Sequence, residues 1–169
     1  MIRVALCVFL AVAALSGCKT AYVWTSGVPS DRRTISVPVF RNESEVTELG
    51  SVVTRQVLRE FQREGSFRVS SPADAAVEVQ GIIRSAVSRY DGGGRHIGNR
   101  TFNSRLTLKA EVSVVDRVSG KVLVDNRTYT AEADFLATQD LMTGRRDASG
   151  RLAEDLARQI VDDVLAYHW

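Results

Sequence analysis

The sequence predicts an α/β fold of the α+β kind. It is a two-layer sandwich in which two amphipathic helices pack on one face of a mixed sheet of three to four strands. Three observations predict it. Leu49, Val53, Val57 and Phe61 repeat every four residues, and Leu152, Leu156, Ile160 and Val164 do the same near the other end. Between them, Leu106, Leu108, Ala110, Val112 and Val114 alternate with polar residues in the period-two pattern of a half-buried strand. The order of segments is strand, helix, two or three strands, helix.

Each element has its own signature. Thr34 to Phe40 is a β-branched run, with Ile35, Val37 and Val39 alternating with Ser36 and Pro38. Proline cannot donate to a ladder, so this strand lies at an edge or ends at Pro38. The first helix is predicted over Asn42 to Glu64, with Asn42 or Ser44 as N-cap and Glu45 and Glu48 in its first turn. Val46, Val52 and Leu58 widen its apolar stripe, and Gly65 closes it as a C′ glycine. Phe67 to Val69 is a short strand candidate, followed by a turn over Ser70 to Asp74. A longer strand starts at Ala75 and runs toward Tyr90, ended by the loop Asp91-Gly92-Gly93-Gly94. Thr101 to Asp116 is the clearest strand, and Val122 to Ala131 returns from the hairpin loop Asp116 to Lys121. The stretch 133–147 suggests a packed loop or short helix. The last helix is predicted from about Ala148 to Tyr167, with Asp147 or Ser149 as cap. The long hairpin is antiparallel, whereas the first strand, set off by a helix, is a candidate for parallel pairing.

The N-terminus carries a different signal. Met1-Ile2-Arg3 is a short basic region, and Val4 to Leu15 is an uninterrupted apolar run. That run is shorter than the about 20 residues a spanning helix needs. It fits a cleavable signal peptide. It ends in Leu15-Ser16-Gly17-Cys18, which resembles the bacterial lipobox. There a peptidase accepts small side chains before the cut, and a cysteine thiol carries the diacylglycerol. Residues 1–17 are therefore expected to be removed between Gly17 and Cys18, residues 18–33 to form the lipidated tether, and residues 34–169 a single domain. The tether reading rests on turn formers and charges without periodicity, such as Val28-Pro29-Ser30 and Asp31-Arg32-Arg33. No second apolar segment of spanning length follows, so the expected attachment is by lipid anchor.

Composition narrows the function. Removing 17 residues from 169 leaves 152, with 21 basic and 20 acidic side chains. A nearly neutral domain argues against nucleic acid as a partner. Cys7 departs with the signal and Cys18 is lipidated, so no free thiol or disulfide is expected. His96 and His168 are isolated, which leaves no catalytic triad, no zinc ligand set and no implied cofactor. The run Asp91 to Arg95 lacks the ending of a phosphate-binding loop. Adjacent Asp162 and Asp163 diverge by about 100° on a helix and do not form a carboxylate pair. The expectation is no catalytic residue and no enzyme. One cluster stands out: Arg84, Arg89, Arg95, Arg100 and Arg105 flank the glycine-rich loop, with Asp91 the one acid from Arg84 to Lys109. Such a cluster suits an anionic lipid head group, because arginine pairs bidentately with phosphate. From the sequence alone a solvated strand edge guarded against pairing is the favoured reading of the same cluster.

Several motifs carry a family resemblance. Thr34-Ile35-Ser36-Val37-Pro38-Val39-Phe40-Arg41-Asn42 resembles the first strand of the LptE lipopolysaccharide-assembly lipoproteins. Leu58-Arg59-Glu60-Phe61, Ala73-Asp74-Ala75 and Gly81-Ile82-Ile83 follow in that family's order. Asp116-Arg117-Val118-Ser119-Gly120-Lys121-Val122-Leu123 is similar to its hairpin, and Ala153 to Ala157, Ile160-Val161 and Trp169 to its last helix. Lys19-Thr20-Ala21-Tyr22 after the cysteine, Ser119 and Val124 depart from the family pattern. The resemblance implies an outer-membrane lipoprotein of a Gram-negative-type bacterium, facing the periplasm. It implies a plug within the LptD β-barrel that assists barrel assembly and contacts lipopolysaccharide, with the arginines near Gly92–Gly94 as candidate contacts. The alternative from a different class is a periplasmic lipoprotein that scaffolds or activates a cell-envelope enzyme.

Overall fold

The computed structural model describes residues 27–91, 102–137, 141–167 and 169. Six strands form one mixed sheet: β1 (Thr34–Ser36), β2 (Arg41–Asn42), β3 (Arg68–Val69), β4 (Val77–Asp91), β5 (Phe102–Asp116) and β6 (Lys121–Ala137). Two helices, α1 (Leu49–Glu64) and α2 (Leu141–Ala166), lie on one face. The class is the predicted sandwich, with more strands than expected. The strand order is β3-β1-β4-β5-β6, and β2 pairs farther along β4.

Pro38 explains the extra strand. The β-branched run pairs in parallel with β4 at Ile35 opposite Val77, breaks at the proline, and resumes at Arg41 opposite Ile82. The break, rather than an edge position, accommodates the proline, since β1 lies between β3 and β4.

The helix after it starts later than its periodicity suggested. Asn42 belongs to β2, and its side chain organises the connecting loop instead of capping a helix. Its Oδ1 accepts from Ser44 N–H and Ser44 Oγ, while its Nδ2 donates to the carbonyls of Val46 and Thr47. An Asx turn of this kind competes with helix formation locally. α1 thus begins at Leu49, after Glu48 with no side-chain cap, and ends at Gly65, whose φ of 83° lets its N–H reach the Phe61 carbonyl.

The second correction concerns residues 133–147. β6 runs on to Ala137, and α2 is already helical at Leu141. Alternation in Tyr129, Ala131, Ala133 and Phe135 is weak to the eye because two of these inward residues are alanines. Ser149, expected as a cap, lies inside α2 and donates back to the Arg145 carbonyl. Asp147 lies inside α2 as well.

The core sits between the helices and one sheet face. Val53, Val57 and Phe61 of α1 and Leu152, Leu156 and Ile160 of α2 are buried against Val79, Ile83, Leu106 and Leu108. At its end, Phe67 makes edge contacts with Phe61 and Trp169 at 5.7 and 5.5 Å between centroids. Phe40 closes the layer from the side. Its ring fills the space above Gly81, its N–H bonds Thr54 Oγ1 at 2.9 Å, and its carbonyl abuts Gly50. The strand motif therefore works as a wedge between helix and sheet.

Candidate functional site

The helices cover one face of the sheet and leave the other open. On this open face β4 presents Glu78, Gln80 and Ile82, and after a bulge at Arg84 it presents Ser85, Val87 and Arg89. The bulge adds one residue, so Ile83 and Ala86 both stay in the core while Arg84 points outward. β5 contributes Arg105, Thr107, Lys109 and Glu111, and β6 contributes Thr130, Glu132 and Asp134.

Most charges on this face are paired across strands. Arg84 donates Nε and Nη2 to Glu111 at 2.8 and 2.6 Å and Nη1 to Glu43 at 2.7 Å. These bonds raise its guanidinium pKa, and the bond from Arg84 in turn lowers that of the Glu43 carboxyl. Arg117 pairs with Glu78 at 3.0 Å. Arg105 stands directly opposite Arg89 in the ladder, a repulsive pairing by itself. Asp134 relieves it from the other side, accepting from Arg105 Nε at 2.8 Å, which lowers the Asp134 pKa. Glu132 lies 3.7 Å from the same guanidinium. Arg89 and Lys109, both exposed, have no carboxylate partner among the described residues. They border a shallow groove lined also by Ser85, Val87, Thr107, Thr130 and Glu132. Val87, one of its lining residues, is 49% exposed. Two cations without a carboxylate partner among the described residues, beside one exposed valine, suit an anion attached to a hydrocarbon.

Two further clusters hold charge inside the domain. Asp116 is buried at the β5–β6 turn, where burial pushes its carboxyl up. Hydrogen bonds from Ser119 Oγ (2.7 Å), Arg32 Nε (2.7 Å) and the N–H groups of Ser119 and Val118 outweigh that, and its pKa falls to about 2. Tyr129 donates its hydroxyl to Asp163 at 2.7 Å, and Arg127 meets the same carboxylate at 3.0 Å. Burial and this acceptor raise the phenol pKa. Both clusters fasten elements together. Asp162 is exposed and Asp163 half-buried, so the adjacent pair diverges.

Of the arginines singled out in the sequence, the structure brings Arg89 and Arg105 together and separates Arg84 from them by five positions along β4. Their acidic counterparts come from β6, from Glu111 and from the loop after β2, which are remote in sequence. Arg95, Arg100, Gly17, Cys18, His96, His168 and the glycines of the loop lie outside the described residues. Lys109 and Val87 were not singled out. Alternation of β5 and β4 carried the signal for them, because it places Lys109 and Arg105 on one face. Among the described residues no group of three or more His, Cys, Asp or Glu side chains is placed to hold a metal ion. None of the described helices is long and apolar enough to cross a membrane.

Solved structures share this fold. A Xanthomonas campestris protein superposes with a TM-score of 0.59 at 12% identity, over 82% of this chain and 88% of its own. A hypothetical protein of Chlamydia trachomatis gives 0.54 at 14% identity, over 81% and 98%. A homologue of a neuraminyllactose-binding hemagglutinin from Helicobacter pylori gives 0.50 at 10% identity, over 83% and 89%. At these identities the likeness is one of fold. A comparison with curated proteins finds no match. The family model described as lipopolysaccharide-assembly, LptE, matches residues 32–164.

Proposed function

The chain belongs to the LptE lipopolysaccharide-assembly family, and on that premise we propose that it is a lipid-anchored outer-membrane subunit that seats in an LptD-type β-barrel, helps assemble it, and holds lipopolysaccharide during export. Residues 1–17 are its signal peptide, Cys18 bears the lipid, 18–33 lead into the domain with their last part packed on it through Val28 and the Arg32–Asp116 bond, and 34–169 form the domain. The role involves no reaction. The protein acts by shape and charge.

One observation carries the lipopolysaccharide part of this reading. Arg84, Arg105 and Arg117 already hold carboxylates, whereas Arg89 and Lys109 have no such partner among the described residues and flank exposed Val87. A phosphorylated, acylated head group offers what this groove lacks, a phosphate for the cations and a chain for the valine. Arg95 and Arg100 extend the basic series in the adjoining loop. A charge-assisted hydrogen bond is worth about 1.5–3 kcal/mol, so each lost cation costs roughly tenfold or more in affinity.

The test has two arms. Mild-detergent pull-down of the full chain is expected to recover a large outer-membrane barrel. Lipopolysaccharide capture is expected to fall at least tenfold in Arg89→Glu/Lys109→Glu and to persist in Arg84→Gln, whose guanidinium is spent on Glu43 and Glu111. Recovery of an enzyme in place of a barrel, or capture indifferent to Arg89 and Lys109, refutes the respective half.

A further inference from the structure

We infer that the end of the domain carrying the β5–β6 turn docks on the surface of the membrane in which the protein is anchored, through the valines of that turn. The inference rests on the proposed lipidation of Cys18.

The first step is where the chain enters the domain. Val28 is buried in the core cluster, beside the cleft that Gly27, Phe67 and Leu165 line. A single 3-10 turn, Ser30–Arg32, follows, and Arg32 bonds Asp116 at 2.7 Å. Asp116 also binds the backbone N–H groups of Val118 and Ser119. Arg117 N–H reaches the Ala76 carbonyl, and Ala76 N–H reaches Thr34. The entry of the chain and the hairpin turn are thus one stapled unit. Eight residues lie between Cys18 and Gly27. Fully extended they reach at most about 30 Å. A lipid on Cys18 therefore holds this end within about 30 Å of the membrane.

The second step is what this end exposes. Hairpin turns favour Gly, Asn, Asp, Pro and Ser. Here Val118 is 58% exposed and Val122 50% exposed. Val122 stands opposite Val115 on the open face, so two β-branched side chains adjoin just behind the turn that carries Val118. Lys121 lies between the two exposed valines with its Nζ 5.7 Å from the Tyr167 ring centroid, and Trp169 packs against Tyr167. Apolar side chains, an amphipathic aromatic and a long cation are the set that enters a head-group region. Such a patch binds weakly when free. Tethering raises its effective concentration to the millimolar range, where a weak contact is populated. The contact fixes orientation: the Arg89–Lys109 groove lies about 23–36 Å from the turn along the strands, at about 3.3 Å per residue.

The experiment uses the full, lipidated chain. With Cys7 removed and Cys18 alkylated, a cysteine introduced by Val118→Cys is the sole free thiol and takes an environment-sensitive fluorophore. The protein is reconstituted in phosphatidylethanolamine–phosphatidylglycerol vesicles containing a lipid-borne quencher. Glu154→Cys, on the exposed side of α2, is the reference. We expect at least threefold stronger quenching at position 118 than at 154, abolished by adding Val122→Asp. Equal quenching on vesicles that carry the protein overturns the docking while leaving the anchor intact. Flotation of wild type against Cys18→Ala tests the anchor separately, and absence of wild-type flotation overturns both.

Discussion

Replacing Gly81 by alanine tests the wedge that joins helix, strand and sheet. A Cβ at this position falls 2.2, 2.3 and 2.4 Å from three ring carbons of Phe40, well inside van der Waals contact. The ring has little room to retreat. Phe40 is 2% exposed, its N–H is bonded to Thr54 Oγ1 at 2.9 Å, and that hydroxyl donates to the Gly50 carbonyl at 2.7 Å. On the far side, the Phe40 carbonyl lies 2.4 Å from where a Gly50 Cβ would stand. Either the β1–β2 segment shifts or the ring is expelled. Overpacking of this kind costs about 1–3 kcal/mol, and expelling a buried phenylalanine costs about the same. The substitution also removes unfolded-state freedom, which returns about 0.4–1 kcal/mol. A net loss of about 2 kcal/mol is expected, equivalent to a fall in Tm of roughly 4–8 °C for a domain of this size. Urea unfolding followed by circular dichroism measures it. The sharper assay is a double-mutant cycle: in a Phe40→Ala background the added methyl meets no ring, so Gly81→Ala is expected to be neutral or stabilising. A variant Gly81→Ala within 0.5 kcal/mol of wild type, or equal costs in both backgrounds, refutes the wedge.

The remaining predictions concern buried charge. The Asp116 carboxyl titrates lower in the folded chain than the 3.8 of an unperturbed group, so its contribution is complete above that value. It is lost as pH falls through about 2. The shift amounts to at most about 2 kcal/mol. Acid unfolding of Asp116→Asn is expected to lack this limb, and an unchanged acid profile counts against the Arg32 clasp. The Tyr129 phenol titrates above its ordinary 10.0, so its contribution is full below that value and is lost as pH rises beyond it. Wild-type stability is expected to fall by about 1.4 kcal/mol per pH unit in that range. Tyr129→Phe is expected to remove this alkaline limb and cost roughly 1–2 kcal/mol at neutral pH, since Asp163 keeps Arg127. Identical alkaline limbs in the two proteins refute the assignment.

How far the fold was readable from sequence depends on which interactions decide each element. The four-residue repeat of α1 and α2 and the alternation of β5 are visible because one buried face imposes a period. Even so, the start of α1 moved to Leu49 because the Asn42 side chain chose Val46 and Thr47 carbonyls over a helix terminus. β6 beyond Ala131 was hidden by inward alanines, whose low hydrophobicity blunts the period. Arg84 and Arg105 looked alike along the chain. Only cross-strand neighbours distinguish them from Arg89, because their carboxylates sit 27 and 29 residues away.

The sequence by itself determined the two-layer class, the family and the expectation of a lipid anchor, because periodicity, motif order and a lipobox are local properties of the chain. The tertiary structure alone decided that β1 is interior, that Phe40 packs into the space at Gly81, that Asp116 clasps Arg32, and that Arg89 and Lys109 are the cations of the groove without a carboxylate partner among the described residues. Those are matters of register and approach between segments distant in sequence, and no local pattern encodes which side chain a folded sheet sets beside another.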